Sequence, residues 1–505
     1  MARAKAAERV PEEPRSEQLR PAPVAPGPRH PLVLDLDGTL LVSDLLVECI
    51  LAFLKHHPLQ AWRLVYWALQ GRAVLKERLA ERTQIAVELL PAHAAVVAYA
   101  EAAHAEGREV YLATASDRKL AEAVSKRYPF IREVLASGGR VNLKGRHKAA
   151  ALKARFPDGF VYAGDSPADM PVWRQAAAAI FVGPEGALRR KVGAVAEIEA
   201  IAHAARPTLK IWARALRLHQ WAKNAVLFAP LILAGRIGEP AAWLACGVGF
   251  VAMGLIASST YLINDLTDLE DDRRHWTKRN RPLASGALSL TRAMIAAPLM
   301  LVAGLCLAFL AGGAASLGVA AIYCGLTLAY SLKLKRIPLF DALVLASLFT
   351  LRLLFGAALA QTPASSWLLV FCMTLFVSLA LAKRAVEFGR AAASGAAIAA
   401  GRGYRAEDAP LVAGLGAATG VAAVLVMILY VIEDAFPQGR YLTPQLLWGA
   451  PVLLSMWLGR VWLLCARGEL DDDPVAFAVK DRTSLVLGGL MAFCFLAAAV
   501  HIPWL

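Results

Sequence analysis

Two groups of aspartates carry the residue types and spacings best suited to chemistry. The first is Asp35-Leu36-Asp37-Gly38-Thr39, and the second is Asn264-Asp265-Leu266-Thr267-Asp268 together with Asp272. Two carboxylates one residue apart at a strand end can share a divalent cation. One can attack phosphorus while the other donates and accepts a proton. Asp265, Asp268 and Asp272 stand at i, i+3 and i+7, one face of a helix, so all three are expected to converge. Oxygen ligands of this kind suit magnesium holding a phosphate or pyrophosphate.

Each group has polar residues downstream that extend this chemistry. Behind the first, Thr114 ends a strand candidate and is expected to hydrogen-bond a phosphate oxygen, with Ser116 as competitor. Lys148, with Lys144 as competitor, is expected to neutralise a transferring phosphoryl group. Gly164-Asp165-Ser166-Pro167-Ala168-Asp169 follows another strand candidate, and Asp165 is expected to complete the metal site. Behind the second group, the run Arg273–Pro282 supplies phosphate donors, among them Arg273, Lys278 and Arg281. An ordinary charged loop would also balance acids with bases. It would leave unexplained the helical spacing and Asn264 directly after an apolar span.

The two groups lie on different kinds of chain. The 505 residues are 57% hydrophobic and 19% charged, and mean hydropathy is positive, which excludes overall disorder and points to a membrane protein. Residues 1–30 read as a disordered tail. Residues 31–185 read as an α/β domain with a Rossmann-like parallel sheet and a helical cap at about 44–105. Its strand candidates are Pro31–Leu36, Glu109–Ala113 and Phe160–Ala163. Residues 186–218 read as a linker with a basic amphipathic helix.

From 219 to 505 an all-α polytopic bundle is expected. About nine spans fall near 225–237, 240–263, 289–311, 314–331, 338–360, 364–384, 411–433, 444–466 and 483–504. Basic residues cluster in alternate connections. The positive-inside rule puts those connections, the α/β domain and both acidic sites in the cytosol, with the spans in the inner membrane. The net charge of +14 is thereby explained without nucleic acid, for which no basic face with interleaved aromatics exists. Seven scattered cysteines without CxxC pairs read as packing residues in a reducing setting.

The ordered set Asp35/Asp37, Thr114, Lys148 and Asp165/Asp169 resembles the haloacid dehalogenase superfamily over about 31–185. That resemblance implies a magnesium-dependent phosphatase, with Asp35 as nucleophile, Asp37 as general acid/base, Asp35, Asp37 and Asp165 at the metal, and Asp169 beside the substrate. The second motif, NDxxDxxxD, resembles the UbiA superfamily over about 210–505. His219–Asn224, Tyr330–Arg336, Ala382–Glu387, Arg467–Leu470 and Asp473–Val475 resemble its polyprenyl-phosphate phosphoribosyltransferase branch.

That branch implies phosphoribosyl pyrophosphate as donor, a polyprenyl phosphate as acceptor and magnesium on Asp265, Asp268 and Asp272. Gln220, Lys223, Asn224, Asn264, Arg273, Lys278, Arg281, Tyr330, Lys383, Arg384 and Glu387 are implied substrate contacts. The superfamily's aromatic prenyltransferases carry a second DxxxD. Here that region keeps Asp341 but has Leu345 at the second acid, which argues against a prenyl diphosphate donor. Lys333, Lys335, Arg336 and Arg352 read instead as phosphate clamps, and positive-inside topology alone also accounts for such a cluster. The expected sequence is phosphoribosyl transfer followed by removal of the 5-phosphate. An aromatic prenyltransferase with an attached phosphatase or scaffold domain is the alternative. A homo-oligomer is left open.

Overall fold

Short apolar runs punctuated by glycine and polar residues form one parallel sheet, because strands covered by helices on both faces need apolar side chains on both faces. The computed structural model describes residues 20–21, 30–138, 142–203, 207–394, 403–437, 439, 441–470 and 474–499. Asp473 and most of the expected 1–30 tail lie outside these residues. Two compact units emerge: 1–215 with 265–295, and 216–264 with 296–505.

In the first unit the strands are β1 (Arg20–Pro21), β2 (Leu32–Leu34), β3 (Val110–Asp117), β4 (Ile131–Ser137), β5 (Val161–Gly164), β6 (Ala178–Val182) and β7 (Glu197–Ala202). They lie in the order β1-β7-β6-β5-β2-β3-β4. Every pairing is parallel except β1 with β7. The carboxyl ends of β2, β3 and β5 therefore point the same way, and Asp35, Thr114 and Asp165 gather there.

Three expected boundaries change. The two residues of β1 belong to the sheet rather than to a tail. The domain boundary at 185 moves outward, because β7 pairs with β6 well inside the expected linker. The cap is shorter than 44–105. Leu45–His56, Trp62–Leu69 and Arg72–Arg82 share their own apolar core of Cys49, Phe53, Trp67, Leu75 and Leu79. Ala94–Ala105 instead buries Ala95, Val96, Ala100 and Ala103 against the strands. The small side chains of that helix let it lie close on the sheet.

Among the described residues, six helices are long and apolar enough to cross a membrane. One of them, Leu290–Leu332, has 43 residues with non-helical backbone at Gly312 and Gly313. Straight, it would extend about 65 Å, twice the bilayer core. Ser316 Oγ donates to Ala308 O at 2.7 Å, whereas eight residues of straight helix would separate them by about 12 Å. The chain therefore reverses, giving the two helices expected on either side of Gly312. Arg482–Ala498 is a shorter apolar helix.

The expected span at 225–237 is not one continuous helix. Leu218–Phe228 is 3-10 and only Ala229–Leu233 is α-helical. The run is interrupted by Lys223 and Asn224 upstream and by Gly235 downstream. This expected span is replaced by short helical pieces, and the one at 483–504 corresponds only to the shorter helix Arg482–Ala498, so the count of nine spans is not supported among the described residues.

Candidate functional sites

The first site is built on strand ends. Asp35 follows β2, where its N–H donates to Ala163 O at 3.0 Å, tying it to β5. Lys148, from the Arg146–Arg155 helix, donates to Asp35 Oδ1 at 2.9 Å and to Tyr162 Oη at 2.9 Å. Leu36 N–H also donates to Asp35 Oδ1 at 2.8 Å. Both bonds fall on Oδ1, leaving Oδ2 for an electrophile. Tyr162 Oη donates to Asp169 Oδ1 at 2.9 Å, and Ser166 Oγ donates to Asp169 Oδ2 at 2.8 Å. Asp169 thus holds Lys148 in place through Tyr162, besides facing Lys148 directly at 3.7 Å.

Carboxylate oxygens of Asp35, Asp165 and Asp169 lie within 4.8 Å of one another. Three acids against the single ammonium of Lys148 leave excess negative charge. Burial, then Asp35 and Asp169, pushes the Asp165 carboxyl up to about 8. Burial also raises Asp35 despite Lys148. Burial opposes the Lys148 ammonium, but Asp35 and Asp169 outweigh it and its pKa is raised. Such crowding fits a divalent cation. Gly38 sits at φ +77, and a Cβ there would meet Asp165 Oδ2 at 2.3 Å. The turn thus needs both glycine's left-handed conformation and its missing side chain.

Asp37, expected among the metal ligands, is not in that group. Its Oδ1 accepts Leu45 N–H at 2.8 Å, and its Oδ2 accepts Ser116 Oγ at 2.5 Å. Burial, then Asp44, pushes it up to about 7, a value suited to proton transfer near neutrality. Thr114 Oγ1 accepts the Ser116 N–H at 2.9 Å and so orients the serine. Lys144 is an exposed residue of the surrounding cavity, whereas Lys148 is buried on Asp35. Tyr162, absent from the sequence expectations, stands on β5 one residue before Ala163. Only its place on a strand leading to Asp165 could have marked it.

The second acidic group is not one continuous helix. Pro240–Thr267 ends at Asp268, whose backbone leaves helical geometry (φ −94°, ψ 14°), and Leu269–Arg274 begins there. Asp265 and Asp272 are both buried and both engage Arg281 Nη1, at 3.1 and 2.6 Å. Burial raises Asp272, with Arg281 working against the rise. Asp268 does not join these two in a three-carboxylate cluster: among the described residues only Asp35, Asp165 and Asp169 meet that spacing. Two buried carboxylates sharing one guanidinium still suit a cation-bound pyrophosphate.

Arg273, expected to contact phosphate, is already engaged. It donates to Glu48 Oε1 at 2.6 Å, to Glu48 Oε2 at 3.1 Å and to Ala284 O at 3.3 Å.

In the second unit two expected substrate contacts are likewise committed. Arg352 donates to Asn224 Oδ1 at 2.9 Å, to Tyr323 Oη at 2.7 Å and to Leu348 O at 2.9 Å. These partners offset the burial of a guanidinium among apolar helices. Asn224 Nδ2 is buried without a partner among the described residues, so this amide retains a donor for a ligand. Arg384 donates to Asp341 Oδ2 at 2.7 Å and to both Glu387 oxygens at 2.8 Å, while Tyr404 Oη donates to Asp341 Oδ1 at 2.6 Å. Lys333 and Arg336 are exposed; Lys335 and Tyr330 are half-buried.

Comparison with known proteins matches this architecture. The UbiA prenyltransferase family model covers residues 225–484, and the haloacid dehalogenase-like hydrolase model covers 32–174. The protein y4nM of Sinorhizobium fredii is 41% identical over 93% of this chain and 91% of its own length. Nodulation protein NoeC of Azorhizobium caulinodans is 34% identical over 58% of this chain and 95% of its own length. Decaprenyl-phosphate phosphoribosyltransferase of Mycolicibacterium smegmatis is 37% identical over 37% of this chain and 59% of its own length. The chain is therefore a multi-pass membrane protein of the UbiA prenyltransferase family, carrying a haloacid dehalogenase-like hydrolase domain at its N-terminal side.

Proposed function

We propose that the chain transfers 5-phosphoribosyl from phosphoribosyl pyrophosphate to a polyprenyl phosphate, and that its hydrolase domain then removes the 5-phosphate. Both reactions are assigned to the cytoplasmic face of the inner membrane. The observation that carries this reading is the burial of Asp341 under Arg384 and Tyr404. With its charge held by that pair, and Leu345 where a second acid would stand, Asp341 is not offered to a prenyl diphosphate, which supports the phosphoribosyl donor. Similarity to the M. smegmatis decaprenyl-phosphate phosphoribosyltransferase supports the donor.

Magnesium at both acidic groups, when bound, neutralises phosphate oxygens and eases departure of the leaving group. In the transfer, a phosphate oxygen of the lipid forms a bond to the anomeric carbon as the bond to pyrophosphate breaks. Arg281 and Lys278 are the donors assigned to the diphosphate. In the hydrolase domain, Asp35 Oδ2 attacks phosphorus, and the ribose 5-oxygen leaves with a proton from Asp37. A water deprotonated by Asp37 then cleaves the aspartyl phosphate and releases inorganic phosphate. Lys148 neutralises Asp35 and the transferring group.

The test supplies purified protein with polyprenyl phosphate and labelled phosphoribosyl pyrophosphate, and in parallel with prenyl diphosphate and an aromatic acid. A labelled lipid-linked pentose is expected in the first reaction. Product only in the second would establish the aromatic prenyltransferase instead.

A further inference from the structure

Asp35, Asp37, Lys148 and Asp165 open into a cavity of about 700 Å³. Part of its lining does not come from the hydrolase fold. Leu283, Gly286, Leu288, Ser289, Leu290 and Thr291 also line it, and they follow directly on the second acidic group.

This segment is firmly seated. Leu283 and Leu288 are buried, Arg273 Nε donates to Ala284 O, and Leu288 N–H donates to Pro282 O at 2.8 Å. Gly286 stands at φ +78, and a Cβ there would meet Val42 Cγ1 at 2.7 Å. Val42 itself lines the cavity. The segment therefore approaches the Asp35 loop as closely as backbone allows.

The cap contributes cations to the same cavity. Arg72 and Lys76 line it, and Lys76 Nζ donates to Ala115 O at 2.6 Å. Among the described residues Asp35 is ion-paired with Lys148, which leaves Arg72 and Lys76 as further cations of the cavity for a second anion. Two further lining residues, Ser43 and Asn142, carry buried polar atoms, Oγ and Oδ1, without hydrogen-bond partners among the described residues. An acceptor such as Asn142 Oδ1 suits a sugar hydroxyl. Beyond Ala68, which also lines the cavity, the cap helix Trp62–Leu69 exposes Trp62, Val65, Tyr66 and Leu69. An unpaired apolar face of that size suits contact with lipid.

We propose that residues 283–291 form a specificity-determining wall of the hydrolase cavity, which with Arg72 and Lys76 selects phosphomonoesters that also carry a second phosphate and a lipid tail. This rests on the assignment of the hydrolase domain as a phosphatase. It adds that the segment after the second acidic group reads the leaving group. A free sugar phosphate offers neither the second anion nor the tail, so it is a poor substrate.

The experiment uses full-length protein in nanodiscs with Mg²⁺ and three probes: ribose 5-phosphate, farnesyl-phosphoryl ribose 5-phosphate and farnesyl-phosphoryl glycerol phosphate. Wild-type kcat/KM is expected to favour both farnesyl probes over ribose 5-phosphate by about tenfold or more. Thr291→Trp, at an exposed lining position, and Arg72→Gln are each expected to shrink that ratio at least several-fold. A ratio unchanged in both variants, or no wild-type preference, overturns the proposal. Preference for both farnesyl probes that shrinks in the variants, without synthesis of a lipid-linked pentose, upholds the wall and refutes phosphoribosyl transfer.

Discussion

Glu48 of the cap and Arg273 form a two-pronged ion pair at 2.6 and 3.1 Å, with side chains only 5% and 6% exposed. The two residues are 225 positions apart. Arg273 immediately follows Asp272, which shares Arg281 with Asp265. The position of the cap is thus tied to the helix that bears Asp272.

Breaking this pair leaves one buried charge without its partner. Glu48→Gln is expected to destabilise the unit by about 3–5 kcal/mol, whereas replacing both residues with apolar ones of similar size should recover most of the loss. Thermal or denaturant unfolding of the single and double variants measures this. Additive losses would show that the pair is not coupled.

Asp35→Asn removes the nucleophile but keeps the hydrogen bond to Lys148 within reach. Under the proposed order of reactions, the 5-phosphorylated lipid should accumulate from labelled phosphoribosyl pyrophosphate, with total lipid label unchanged. Release of free phosphate should fall by about a hundredfold or more. Mass spectrometry of the lipid fraction reads both. If the dephosphorylated lipid persists at the wild-type level, the hydrolase domain acts on something else.

The crowding at Asp165 makes cation binding pH-dependent. Its folded pKa of about 8 lies above the ordinary 3.8, so the folded, cation-free protein holds this proton below pH 8. The stability linked to that proton is greatest in acid and is lost as pH rises through 8. Magnesium must displace the proton, so its affinity should climb between pH 6 and 8, approaching about tenfold per unit for one proton released. Calorimetric Mg²⁺ titrations in buffers of different ionisation enthalpy would count the protons. Pairing them with Asp165→Asn assigns the effect. Affinity that is flat across this range would remove Asp165 from the metal site.

The contrast between what was legible and what was not follows from the range of each interaction. Asp35, Lys148 and Asp165 could be read because each stands at a fixed offset from an apolar strand or helix. β4 and β7 were missed because Arg132, Glu133, Glu197 and Glu199 interrupt their apolar pattern, and β6 because no chemistry-bearing residue follows it. The reversal at Gly312–Gly313 was visible as two glycines between apolar runs. The break at Asp268 was hidden by a helical spacing that a cap residue interrupts. Pairs such as Glu48–Arg273 and Asp341–Arg384 join residues far apart in the chain. Only tertiary structure reveals that arginines expected on phosphate are already spent on carboxylates.

Asp341 gives the sharpest separation between a metal ligand and a structural acid. It is completely buried and is neutralised by Arg384, itself 2% exposed on its side chain. Asp341→Asn leaves Arg384 with Glu387 as its remaining carboxylate partner and should cost about 1–3 kcal/mol of stability. The Mg²⁺ concentration for half-maximal transfer should stay within about twofold, because no cation site is lost. Asp265→Asn should do the reverse: it removes one of the two buried carboxylates that share Arg281, so its half-maximal Mg²⁺ should rise by about tenfold. Transferase assays across Mg²⁺, run beside thermal unfolding of both variants, decide between these roles. A strong Mg²⁺ shift in Asp341→Asn would restore a second metal site. It would then favour a prenyl diphosphate over phosphoribosyl pyrophosphate as donor.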